Sequence, residues 1–174
     1  MTSASKMWPN EILSVLLSQR VRQVAYVPDA GHTRLIELCQ QQTEMVTIPL
    51  TTEEEGVALL AGAWLGGDRG VLLMQSSGVG NCINMLSLPR VCQMPFLTLV
   101  TMRGEWGETN PWQIPMGQNT AKVLELAGVI PFRVDEPDKV GETVQVAVQM
   151  TFESLVATAV LISQRIVGAK QFEK

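Results

Sequence analysis

Between Glu53 and Asn81 the chain reads EEEGVALLAGAWLGGDRGVLLMQSSGVGN. Three carboxylates, Glu53, Glu54 and Glu55, open a run from Gly56 to Gly67 that carries no charge at all. GDRG (Gly67–Gly70) makes a turn, GVLLMQ (Gly70–Gln75) reads as an uninterrupted apolar strand, and SSGVGN (Ser76–Asn81) is a small-residue turn into the next helix. A helix, a tight turn, a continuously apolar strand and a second helix form the repeating unit of an α/β fold. A parallel strand in such a fold is covered on both faces and needs no polar alternation.

The same alternation extends in both directions. WPNEILSVLLSQRV (Trp8–Val21) places Ile12, Val15, Leu16 and Val21 at helical spacing behind Pro9. QVAYVP (Gln23–Pro28) is a strand, TRLIELCQQQ (Thr33–Gln42) a helix and MVTIPL (Met45–Leu50) a strand. After the opening segment come helix GNCINMLSLPRV (Gly80–Val91), strand PFLTLVT (Pro95–Thr101), a long loop (Met102–Gln118) and helix TAKVLELAG (Thr120–Gly128). Strand VIPFRV (Val129–Val134), helix DKVGETVQVAVQMTFESL (Asp138–Leu155) and strand TAVLIS (Thr158–Ser163) complete the pattern. Six strands alternating with helices predict one α/β domain over residues 1–174, a six-stranded parallel sheet with helices on both faces. Ligands of such sheets gather in the loops beyond the strands' carboxyl ends. Three of those loops are unusual: PDAGHT (Pro28–Thr33), SSGVGN, and MRGEWGETNPWQIPMGQ (Met102–Gln118).

Composition narrows the function. With 46% apolar and 17% charged residues, the composition suits buried parallel strands, or a chain that also hides surface against other subunits. A net charge of −4 argues against nucleic acid, whose binders present a basic face. No apolar run reaches the ~18 residues of a membrane span, and Met1–Asn10 shows no leader core. Cys39, Cys82 and Cys92 are odd in number, lack metal-site spacing, and read as reduced core residues of a cytoplasmic protein.

Thr51 with Glu54, and Thr52 with Glu55, match the S/T-x-x-E capping box, so helix capping accounts for two of the acids. It does not account for the apolar helix behind them. A desolvated carboxylate facing a cofactor or another subunit there would be suited to proton transfer near neutral pH. SSGVGN lacks the lysine of a P-loop and the G-x-G-x-x-G spacing. It reads either as a phosphate cradle at a helix start or as a tight turn that lets a flat ring approach the backbone. Serine acyl transfer at Ser76 or Ser77 is disfavoured, because G-x-S-x-G is absent and the single histidine, His32, lies in another loop. His32 is either a titrating site residue or a surface or hydrogen-bonding side chain. Arg34 and Arg103 are rim cations for an anionic substrate.

YVPDAG, EEEGVALLAGAWL, LLMQSSGVGNCINML and MRGEWGETNPWQIPMGQNT occur in the order of the blocks of a known family. Together they resemble the pyrimidine-binding domain of thiamine diphosphate-dependent 2-oxoacid decarboxylases, from about Pro9 to Ser163. Within that family the likeness is to the alpha chains of the sulfopyruvate branch, with the phosphonopyruvate branch next. The resemblance implies that one glutamate bonds the cofactor's aminopyrimidine N1′ and starts the proton transfer that activates it. Counting ten residues back from Trp64, as the family pattern requires, selects Glu54; a slip of one selects Glu55. Glu53 and Glu55 are then expected to cap and solvate the helix start.

By the same resemblance Gln75, Ser76, Ser77, Gly78 and Val79 form the loop against the pyrimidine, with Ser76 in place of the family's Asn. Asp29, His32, Arg103 and Gln113 are its substrate-side candidates, and QIPMG (Gln113–Gly117) is nearer the sulfopyruvate type. The implied reaction is conversion of 3-sulfopyruvate to sulfoacetaldehyde and CO2, with phosphonopyruvate or another small anionic 2-oxoacid as the alternative. A non-catalytic subunit of the same fold is the rival from another class. The family's diphosphate-binding half carries Gly-Asp-Gly followed by Asn-Asn, and this chain has neither in that setting. The resemblance therefore implies a separate beta subunit that holds Mg²⁺ and the diphosphate, with no metal site in this chain. It also implies self-association and activity only in the complex.

Overall fold

The structure, a computed structural model, describes residues 7–168. Residues 1–6, part of the stretch read as lacking a leader core, lie outside the described residues. Six parallel strands, β1 (Val21–Tyr26), β2 (Val46–Pro49), β3 (Arg69–Gln75), β4 (Phe96–Thr101), β5 (Ile130–Val134) and β6 (Ala157–Ile162), form one sheet in the order β2-β1-β3-β4-β6-β5. The helices are α1 (Trp8–Ser18), α2 (Thr33–Gln40), α3 (Glu53–Leu65), α4 (Ser76–Cys82), α5 (Ser87–Cys92), α6 (Ile114–Leu126), α7 (Val140–Glu153) and α8 (Gln164–Val167).

The central strands show why their sequence reads as apolar throughout. Along β3, Val71 and Leu73 enter one core, with Ile12 and Leu16 of α1, Leu35 of α2 and Val144 of α7. Leu72 and Met74 enter the other, with Val57 and Leu60 of α3, Val79 of α4 and Leu124 of α6. All four β3 side chains are fully buried, as expected for strands covered on both faces. The α/β sheet of six parallel strands is thus the one expected.

Several local expectations are corrected. The single helix read from Gly80 to Val91 is two, because α4 already starts at Ser76 and α5 restarts at Ser87. Pro89 within one continuous helix would remove an interior N–H and clash with the preceding turn. At the third position of α5 it does neither. Helix α6 begins at Ile114 with Pro115 in its first turn, six residues before the reading from Thr120. Thr52 is the N-cap of α3, but its hydroxyl makes no hydrogen bond; Glu55 instead accepts from the Thr51 amide at 3.0 Å. Neither expected capping box forms. Helix α3 is not buried all round within this chain: Gly56, Val57 and Leu60 face inward, while Ala58, Gly62 and Leu65 are exposed. Cys39 and Cys82 are core residues, but Cys92 is exposed.

Candidate active site

The chain runs from β1 to β2 on one side, then places β3 on the other side of β1. A second reversal falls between β4 and β6. Such switch points open crevices at the carboxyl ends of strands, and the unusual loops lie at both.

At the first, Asp29 joins three strand ends. Its Oδ1 accepts from Gln75 Nε2 at 2.8 Å, and its Oδ2 accepts from Thr101 Oγ1 at 2.6 Å and the Gly31 amide at 3.1 Å. Ser77 Oγ donates to Gln75 Oε1 at 2.8 Å, so a chain of hydrogen bonds runs from the start of α4 to the Asp29 loop. Asp29, Gly31, Thr101 and Arg103, with Val167 and Gly168, line a cleft of 220 Å³.

At the second switch point, Arg103 Nε and Nη2 each donate to Glu108 at 2.7 Å. The amides of Gly104 and Asn110 and Gln164 Nε2 also donate to that carboxylate. This bidentate pair holds the Glu108 carboxyl down at about 2 and raises the Arg103 guanidinium. Arg103 is buried and neutralised, so it is not the free anion-holding cation expected of it. Arg34, by contrast, is exposed on α2 and meets Glu37 only at the surface, at 3.4 Å. Gln113 is half-buried beside Gly104, and its Oε1 accepts no hydrogen bond among the described residues.

His32 is fully buried, so it is neither a surface group nor a substrate-facing one; of the readings offered, the hydrogen-bonding side chain is the one that holds. Its Nε2 bonds the Leu99 carbonyl at 3.0 Å, and burial lowers its pKa, so the neutral form is favoured beneath the Asp29 loop. The SSGVGN segment is helical and turns Ser76, Gly78 and Val79 inward. The Val79 side chain lies in the core, and Ser76 Oγ bridges to the Arg103 backbone, accepting from its amide at 3.1 Å. Of that segment, Ser77, Gly80 and Asn81 keep exposed surface.

The three acids take three different roles. Glu55 is exposed and bonds the Thr51 amide. Glu53 is buried and accepts from Asn81 Nδ2 at 2.7 Å, which corrects its reading as a solvated capping residue. Glu54 is half-buried and has no hydrogen-bond or ion-pair partner among the described residues. Burial raises the Cys82 thiol to about 12, and the negative charges of Glu53 and Glu54 add to that rise, which places both acids beside α4. Among the described residues no group of three His, Cys, Asp or Glu side chains is placed to hold a metal ion. No described helix is long and apolar enough to cross a membrane.

The alpha subunit of sulfopyruvate decarboxylase from Methanococcus maripaludis is 34% identical over 152 residues, which span 87% of this chain and 91% of that subunit. The chain belongs to the sulfopyruvate decarboxylase alpha-subunit family. Phosphonopyruvate decarboxylase from Streptomyces viridochromogenes is 35% identical over 132 residues, but the match spans only 33% of that longer protein. The 2-oxoglutarate:ferredoxin oxidoreductase from Magnetococcus marinus superposes with a TM-score of 0.75 at 11% identity, over 92% of this chain and 29% of that one. That likeness concerns the fold, which is the thiamine diphosphate-binding type expected from the resemblance. No protein-family model matches the chain.

Sequence reading missed Glu53, Asn81, Thr101, Glu108 and Gln164. Three successive acids before an apolar helix signalled that one of them is buried, but not which. Glu108 sits in a loop and Gln164 opens the four-residue α8, both without periodicity, and only the approach of β4 to β6 joins them.

Proposed function

We propose that this chain is the pyrimidine-binding subunit of a two-chain thiamine diphosphate-dependent decarboxylase, converting 3-sulfopyruvate to sulfoacetaldehyde and CO2. The observation carrying this reading is the 34% identity across nearly the whole of a sulfopyruvate decarboxylase alpha subunit. The site fits the cofactor's aminopyrimidine: Glu54 is a half-buried acid at a helix N-terminus, unpartnered among the described residues, beside the open edge of α4. Bound there, thiamine diphosphate supplies the electron sink for loss of CO2. Glu54 holds and moves a proton at the pyrimidine N1′, while Gln75 and Ser77 border the ring and fix the Asp29 loop. Asp29 and Thr101 shape the cleft that takes the 2-oxoacid.

Two further parts of the reading concern the partner. The diphosphate and Mg²⁺ are held by a beta subunit, as the family's diphosphate motifs are absent here. With Arg103 neutralised by Glu108, the positive charge that a sulfonate requires also comes from that subunit. Exposed Leu126, Val91 and Ile83, around a 350 Å³ apolar groove between α5 and α6, are surface for the chain that supplies this missing half, and copies of this chain pair as well. The match to only a third of phosphonopyruvate decarboxylase supports a missing portion, and its 35% identity favours phosphonopyruvate as the second substrate reading. Free thiols at Cys39, Cys82 and Cys92 accord with a cytoplasmic location.

The test is calorimetric titration of thiamine diphosphate and Mg²⁺ into this chain alone and into its mixture with the beta subunit, with CO2 release measured in both. Binding and CO2 release from sulfopyruvate only in the mixture are expected. Tight binding by the isolated chain overturns the split site, and faster turnover of phosphonopyruvate reverses the substrate assignment.

A further inference from the structure

Glu53 is a carboxylate at 7% exposure, and among the described residues it has no Lys, Arg or His within ion-pair distance. Burying a charge without a counter-ion is costly, and the positive end of α3 offsets part of that cost. Helix capping does not require burial, since Glu55 bonds backbone from an exposed position on the same turn. What burial achieves is a contact with α4. Asn81 Nδ2 donates to Glu53 Oε2 at 2.7 Å, and the carboxylate fills the notch left by the missing side chain of Gly78. A Cβ at that glycine would lie 2.5 Å from Cγ, Cδ and Oε1 of Glu53.

We propose that Glu53 is a positioning residue: its buried carboxylate keys the first turn of α3 into α4 and thereby sets where Glu54 stands. This rests on the proton-transfer role read for Glu54 above. Successive helical residues are ~100° apart, so holding Glu53 against Gly78 and Asn81 fixes the direction in which Glu54 leaves the helix. The same lock ties α3 to the frame that continues through Ser77 and Gln75 to Asp29. Glu54 and the substrate cleft are thereby held in one register through Glu53. Glu53 itself touches no reacting atom.

The experiment uses the reconstituted two-chain complex and two readouts. One is the steady-state rate with 3-sulfopyruvate, as kcat and as the apparent affinity for thiamine diphosphate. The other is exchange of the cofactor's C2 proton with deuterium, which reads the proton transfer without substrate. Glu53→Gln keeps an oxygen acceptor for Asn81 and the shape of the key, and stays within about threefold of the parent in both readouts. Glu53→Ala and Asn81→Ala lower kcat and C2 exchange by about tenfold or more, with cofactor affinity changed far less, because a misdirected acid still leaves the diphosphate side intact. Asn81 is exposed, so its variant folds even if Glu53→Ala does not.

Parent-like exchange in Asn81→Ala and in any folded Glu53→Ala overturns the proposal. So does a Glu53→Gln complex as inactive as Glu54→Gln, which would make Glu53 the catalytic acid. Glu54→Gln is the control: if it exchanges normally, the function reading itself fails and the proposal falls with it.

Discussion

Arg103 and Glu108 show how one side chain's partner changes its meaning. An arginine in a rim loop of an anion-using site reads as a ligand cation, but the bidentate pair leaves its charge internal, at 11% and 3% side-chain exposure. The pair instead fastens the loop after β4. The Glu108 carboxyl, depressed to about 2 from an ordinary 4.5, contributes stability that is complete above the ordinary value and lost as pH falls toward the depressed one. Across that window the parent chain should lose on the order of 3 kcal/mol that Glu108→Gln does not. Denaturant unfolding at pH 7, 4 and 2 measures it. At pH 7 the variant should be less stable by roughly 3 kcal/mol, because Arg103 stays buried without its counter-ion. Equal acid sensitivity in both proteins would remove this account of the pair.

At the scale of elements, the tight docking of α6 under the Arg103 loop depends on glycine. A Cβ at Gly117 would sit within van der Waals overlap of the Arg103 carbonyl and close to Gly104. The obstacle is backbone, which cannot turn aside as a side chain does. Gly117→Ala should therefore cost about 2–4 kcal/mol or displace the loop, with a lowered melting temperature and a disturbed Arg103–Glu108 pair. Gly56→Ala meets only the ends of the Leu50 and Leu72 side chains and should cost less. Equal losses in the two variants would contradict this distinction. The elements themselves were legible because β3 and β4 lie between two helical layers and carry mostly apolar side chains, four in succession in β3. The extent of α4 was not legible, since Ser-Ser-Gly is a turn signature that becomes helical only when Glu53 and Met116 pack against it.

For the whole molecule, the exposed apolar side chains are the surface on which the partner proposed above is tested. Leu126 is 82% exposed and Val91 77%, on one groove. Replacing a fully exposed leucine costs a monomer little, but charging a surface that becomes desolvated in a complex weakens association. Leu126→Asp should leave the melting temperature of the isolated chain within about 2 °C while weakening its association with the beta subunit at least tenfold. Sedimentation of the mixture measures this, and unchanged assembly would assign the groove no role in it.

Periodicity along the chain was enough for the alternation of strands and helices, and hence for the sheet, because hydrophobic burial is written locally as apolar runs of fixed length. The block order around Glu54, Gln75 and Ser77 carried the family for the same reason. Strand order, the burial of His32 beneath the Asp29 loop and the pairing of Arg103 with Glu108 had no local signature. Which of three adjacent glutamates is locked to Asn81 depended on the rotation of α3 against α4. Each of these depends on groups distant along the chain meeting in space, where geometry and dielectric, not residue type, decide what a side chain does.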